Sequence, residues 1–174
     1  FVSRKSLLLP YLYGEDEKAY LAASDHNTII RIDSIDKRLS YMGTSREEMR
    51  DKYGIEFPYS KANNIKDQED FLRKIFHSDF TPHLQQTAGE QYRLLEEYFR
   101  QEGLLDGDSC AAVDVGWLGT SRLMMNHILR RKGAKDLHFF YYGVRRDVFP
   151  PSAGRYSTYF RAEEISTETT ALLE

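Results

Sequence analysis

The chain has 174 residues, of which 41% are hydrophobic and 29% charged; 24 Lys plus Arg face 27 Asp plus Glu, giving a formal net charge of −3. This is the profile of a folded chain with a core, and it excludes a disordered segment. Without a basic surplus, generic nucleic-acid and anionic-membrane binding are excluded as well.

The longest apolar run, around Leu7-Leu8-Leu9, is far shorter than the roughly 20 residues of a membrane span. A lone cysteine, Cys110, forms no internal disulfide, so a reducing, cytoplasmic setting is expected. Phe1-Val2 opens without an initiator Met, and Ala171-Leu172-Leu173-Glu174 closes without a helix terminator. An excised piece of a larger polypeptide is the expectation.

In chain order, Phe1-Val2 reads as the end of a strand entering a polar loop, Ser3-Arg4-Lys5-Ser6, and Leu7-Leu8-Leu9 stops at Pro10. Ile29, Ile32, Ile35, Leu39 and Met42 recur at three- and four-residue spacing, which predicts helix in pieces between Lys18 and Met42. Thr44-Ser45 offers a capping hydroxyl with Glu48 three residues beyond Ser45, so a helix starts there and stops near Gly54. Residues 55–64, with Pro58, form a loop. A second amphipathic helix over Asp67 to His77 carries Phe71, Leu72, Ile75 and Phe76. Pro82 suits the first turn of the longest helix, running to Gln101 with Tyr92, Leu95 and Phe99 in one stripe and Tyr98 beside it.

Beyond Gly103 and Gly107 the pattern changes. Cys110 to Val115 is a short apolar run, Gly116-Trp117-Leu118-Gly119-Thr120-Ser121 turns the chain, and Arg122 to Arg131 is helical up to Gly133. Leu137 to Val144 is a second, aromatic-rich strand. Strand, glycine turn, helix and strand within residues 109–145 make a βαβ unit, hence parallel strands with a right-handed crossover. The expected architecture is one α/β domain over 1–174, a Rossmann-like parallel sheet with a helical N-terminal insertion at about 15–103.

Ligands of parallel sheets bind outside the carboxyl ends of the strands. Three polar clusters follow the expected strand ends: Ser3-Arg4-Lys5, Asp114 with the Gly116–Arg122 turn, and Arg145-Arg146-Asp147. The turn leads into a helix N-terminus, whose N–H groups and dipole favour a phosphate or carboxylate. The candidate ligand-binding residues are Ser3, Arg4, Gly116, Trp117, Gly119, Thr120, Ser121, Arg122 and Arg145. An equally simple reading gives the glycines only a tight turn and Thr120 or Ser121 a capping role.

Asp114, inside an apolar strand, is the candidate catalytic group, a general base or a holder of a sugar hydroxyl; alternatively it fixes the turn. Trp117 stacks on a sugar or base, or packs beneath the loop. The turn lacks the Gly-Lys-Ser/Thr ending of a P-loop. It also lacks the third glycine of a dinucleotide fingerprint, leaving an NADP-type half-domain, with Arg145-Arg146 at a 2′-phosphate, as a distant option. His26, His77, His83, His127 and His138 show no metal-ligand spacing. No metal or cofactor is expected, and no nucleophile elbow is present.

The segments Phe1-Val2-Ser3-Arg4-Lys5-Ser6-Leu7 and Val113-Asp114-Val115-Gly116-Trp117-Leu118-Gly119-Thr120-Ser121, with the closing stretch from Ala162 to Glu174, resemble the region following the haloacid-dehalogenase-like (HAD) hydrolase domain of bacterial surface-polysaccharide biosynthesis proteins. The resemblance implies a role in making capsule, O-antigen or another surface glycan, beside glycosyltransferase modules. It implies no phosphatase activity. The hydrolase's own Asp-x-Asp nucleophile motif is read as absent from the chain, and Asp51-Lys52 and Asp67-Gln68, which lack a preceding apolar strand, do not substitute for it.

The function expected is binding of a phosphorylated or nucleotide-linked sugar, as part of a glycosyltransferase or a HAD-type hydrolase. The partners are that sugar and neighbouring domains of the parent protein, with no nucleic acid. The alternative is a non-catalytic module that docks a neighbouring enzyme domain.

Overall fold

The computed structural model describes residues 2, 4–18, 34–61, 65–115, 119–144 and 155–161. They form helices α1 (Arg4–Leu12), α2 (Ile35–Tyr41), α3 (Arg46–Tyr53), α4 (Ile65–Phe76) and α5 (Thr81–Gln101), then β1 (Ala111–Asp114), α6 (Thr120–Arg131), β2 (His138–Val144) and β3 (Tyr156–Arg161). The chain divides into two compact units, Phe1–Tyr98 and Phe99–Glu174.

The first unit is helical. Its described core contains Leu7, Leu8, Tyr11 and Leu12 of α1, Ile35 and Leu39 of α2, and Met49 of α3. Phe71, Leu72 and Ile75 of α4 and Leu84, Ala88, Tyr92 and Leu95 of α5 complete it, all buried. Arg4 to Leu12 is a helix, where the sequence reading expected a polar loop after a strand and a stop at Pro10. Leu7-Leu8 and Tyr11-Leu12 repeat at four-residue spacing, so helix buries all four on one side. Pro10 lies inside the helix; its missing N–H forfeits one bond near the end of a short element, which this burial outweighs.

The caps of α3 follow the expectation. Ser45 accepts from the Glu48 N–H at 3.2 Å, and Gly54 closes the helix in the left-handed region at φ 65°. Glu48 does not complete a reciprocal box; its carboxylate accepts from the Thr44 hydroxyl at 3.1 Å. Arg46 ties down the following loop. Its guanidinium donates to Asp36 at 2.5 Å and to the carbonyls of Phe57 and Tyr59 at 2.6 and 2.8 Å.

The second unit holds a three-stranded, wholly parallel sheet in the order β1-β2-β3. The expected βαβ unit is present: Ala111 pairs with His138 and Asp114 with Tyr141, joined through α6. The third parallel strand is Tyr156–Arg161, not the Phe1-Val2 region; Val2 lies outside any strand and Phe1 outside the described residues. On α6 the buried residues are Met124, Met125, Asn126, Ile128 and Leu129, with Thr120 and Arg122 in the first turn. Phe139, Tyr141 and Val144 of β2 are buried too. The molecule is therefore α/β, with a small parallel sheet and a helical first unit.

Candidate functional site

β1 ends at Asp114, and α6 begins six residues later at Thr120. Gly119 is the N-cap of α6 at φ 67°, a left-handed conformation that suits glycine, and it offers no side-chain cap. The first N–H groups of any helix lack intrahelical acceptors. Here they belong to Thr120, Ser121 and Arg122, at the carboxyl end of a parallel strand. Thr120 is buried and Ser121 half-buried. A helix N-terminus at the end of a parallel strand is the kind of place where phosphate-type ligands are received, through main-chain donors and the positive end of the helix, here twelve residues long.

Asp114 is half-buried and in register with Tyr141, which is in turn in register with Thr158 of β3. Tyr141 is buried, and its hydroxyl is held neutral well above the ordinary tyrosine range, first by burial and then by the charge of Asp114. Thus Asp114 lies on the α6 side of the sheet, in register with Tyr141.

Arg122 is wholly buried, its guanidinium 4.7 Å from the centre of the Tyr156 ring. Burial pulls its pKa below the usual arginine value. A guanidinium packed over an aromatic face between helix and sheet is a structural cation. It braces the first turn of α6 from beneath.

Among the other expected ligand residues, Ser3, Gly116, Trp117 and Arg145 lie outside the described residues. Arg4 belongs to the first unit, where it is the first residue of α1. The premise that put Arg4 at a strand end does not hold. What the structure assembles from the expected set is Asp114, Gly119, Thr120, Ser121 and Arg122, all on β1 and the start of α6.

Two features escaped the sequence reading. Asn126, fully buried on α6, accepts from the Leu137 N–H at 2.9 Å and donates to the Leu137 carbonyl at 3.5 Å, so the helix grips the residue that enters β2. An Asn among core residues of a predicted helix, eleven positions before a strand, was the available signal. The sequence also contains an Asp-x-Asp spacing, Asp106-Gly107-Asp108. Both residues are exposed in the turns between α5 and β1, with Gly107 at φ 85°, and the element directly before them is the helix α5, not a strand. This is not the strand-borne geometry of a HAD nucleophile.

Among the described residues no group of three or more His, Cys, Asp or Glu is arranged to hold a metal ion, and no helix is long and apolar enough to cross a membrane. No protein-family model, curated protein or solved structure matches the chain.

Proposed function

We propose that the chain binds a phosphorylated or nucleotide-linked sugar at the β1–α6 junction, as a cytoplasmic domain of a bacterial surface-polysaccharide biosynthesis protein. On this reading the three strands belong to a Rossmann-like parallel sheet, with residues 15–103 as its helical insertion. The observation that carries it is the first turn of α6, which leaves the carboxyl end of β1 with a glycine cap and free of a side-chain cap. Backbone N–H groups of Thr120 and Ser121 hold the phosphate oxygens, their hydroxyls add donors, and Asp114 holds a sugar hydroxyl or acts as a base. Whether turnover accompanies binding depends on transferase or hydrolase modules beside it.

Calorimetric titration of the chain with inorganic phosphate, a sugar phosphate and a sugar nucleotide tests the reading. Loss of the one hydroxyl donor, at about 1–1.5 kcal/mol, weakens binding about five- to tenfold in Ser121→Ala. Asp114→Asn weakens the sugar-bearing ligands and leaves inorganic phosphate unchanged. Absence of binding at millimolar ligand refutes the site.

A second reading, docking of a neighbouring enzyme domain without catalysis, is supported by the exposure of Val113, Phe140, Tyr142 and Tyr159. Large exposed apolar residues gathered on one face mark an interaction surface.

A further inference from the structure

The sheet of the second unit has two unlike faces. Toward α6 it presents Phe139 and Tyr141, both buried. On the opposite face, alternation along the strands brings together Val113, Phe140, Tyr142 and Tyr159. All four are exposed, Val113 by 83% and Tyr159 by 76%, and the Tyr142 and Tyr159 rings are stacked. This apolar face has a basic border. Arg155 is exposed and stands one place before Tyr156, beside His138, while Arg161 holds the register position next to Val144. Among the described strand positions of this face there is no Asp or Glu.

Parallel sheets are ordinarily covered on both faces, because the chain crosses a face when it leaves a strand for a parallel neighbour. Here α6 takes one face, and the chain leaves the described sheet at the end of β3, an edge strand. We infer that residues 162–174 pack back across the open face as an amphipathic helix. Three features select this segment. It needs no tether, since Ala162 follows the last residue of β3. Its apolar residues fall on one stripe: Ala162, Ile165, Thr169 and Leu172 recur at spacings of three, four and three, with Leu173 beside them. Its charge is complementary, with Glu163, Glu164, Glu168 and Glu174 and no Lys or Arg, against a face bordered by Arg155 and His138. The lengths agree as well. Residues 162–174 as helix run about 20 Å, and the six residues of β3 span about the same distance. A helix running antiparallel to β3 thus ends at Arg155, where a cation suits both Glu174 and the negative end of the helix dipole. This inference does not depend on a ligand at the first turn of α6.

The test is nuclear Overhauser spectroscopy of the whole chain with isotope-labelled Ile and Leu methyl groups, together with hydrogen exchange. Contacts are expected from the Ile165 and Leu172 methyls to the rings of Phe140, Tyr142 and Tyr159. They are expected within one molecule, persisting on dilution and giving no cross-peak between labelled and unlabelled chains in a mixture. Leu172→Glu is expected to abolish its own contacts and to speed exchange of the β1 and β3 amides about tenfold or more, as burial of one leucine side chain is lost. Val113→Glu alters the face instead of the segment. Val113 is exposed on the bare sheet, so only a covering segment lets this variant act, and the same loss of contacts and protection is expected. Leu94→Glu, at an exposed apolar site on α5, is expected to change neither. Rings that touch neither methyl overturn the packing and leave the face to a neighbouring domain. Contacts found only between chains, or exchange indifferent to both Leu172→Glu and Val113→Glu, overturn it too.

Discussion

Asn126→Leu isolates the contact that joins α6 to β2. Leucine has the γ-branched skeleton of asparagine with bulkier methyl ends, so the substitution opens no cavity; its cost lies in hydrogen bonding and in fitting the methyls. The Leu137 N–H loses its 2.9 Å acceptor inside a buried site, and its carbonyl loses a donor at 3.5 Å. A buried N–H left without a partner costs about 1–3 kcal/mol, whereas a bond at 3.5 Å adds little. The expected destabilisation is therefore about 1.5–3 kcal/mol by urea unfolding, with faster exchange of the Leu137 amide. Asn126→Asp keeps an acceptor for that N–H but sets a second anionic oxygen against the Leu137 carbonyl. It is expected to cost more than leucine at neutral pH and to recover part of the loss when acid protonates it. A leucine variant within about 0.5 kcal/mol of wild type, with unchanged exchange at Leu137, would refute the clamp.

Gly89 sits on α5 where an added Cβ would lie 2.9 Å from the Tyr13 ring. Gly89→Ala is expected to be near neutral, the alanine's helical gain of about 1 kcal/mol being offset by displacement of the ring from Tyr92. In a Tyr13→Ala background the same change is expected to stabilise by about 1 kcal/mol, and equal effects in both backgrounds would contradict the clash. Tyr59 and Tyr141 are both held neutral above the ordinary tyrosine value, chiefly by burial. A raised native pKa means that stability is complete below about pH 10 and falls as pH rises above it, by about 1.4 kcal/mol per pH unit per group. Alkaline unfolding of Tyr141→Phe is expected to show a shallower dependence by about one such slope; an unchanged slope would place the hydroxyl in water.

The elements with strong local signals were legible in the sequence. Ser45 and Gly54 bracket α3 because a hydroxyl cap and a left-handed glycine are local chemistry. The βαβ unit was legible because the apolar run before Asp114, the glycine turn and the two-sided apolar helix agree with one another. Two readings failed for opposite reasons. Arg4 to Leu12 was judged by its polar start and by Pro10, yet the four-residue spacing of Leu7-Leu8 and Tyr11-Leu12 decided its state. Tyr156 to Phe160 was not read as a strand, although Gly154 precedes a run of β-formers. The start of α6 was half legible: a helix beginning near Thr120 was, whereas the burial of Arg122 over Tyr156 depends on β3, which the reading lacked.

The central claim is that the start of α6 receives a phosphate-bearing ligand, and amide chemical shifts test it most directly. Titration of the isotope-labelled chain with a sugar nucleotide and with inorganic phosphate is expected to move the N–H signals of Gly119, Thr120 and Ser121 first and furthest. Both ligands should act at these positions, and only the sugar nucleotide should extend the shifts to Asp114. Shifts that leave these three amides in place, or that centre on the first unit, would contradict the account.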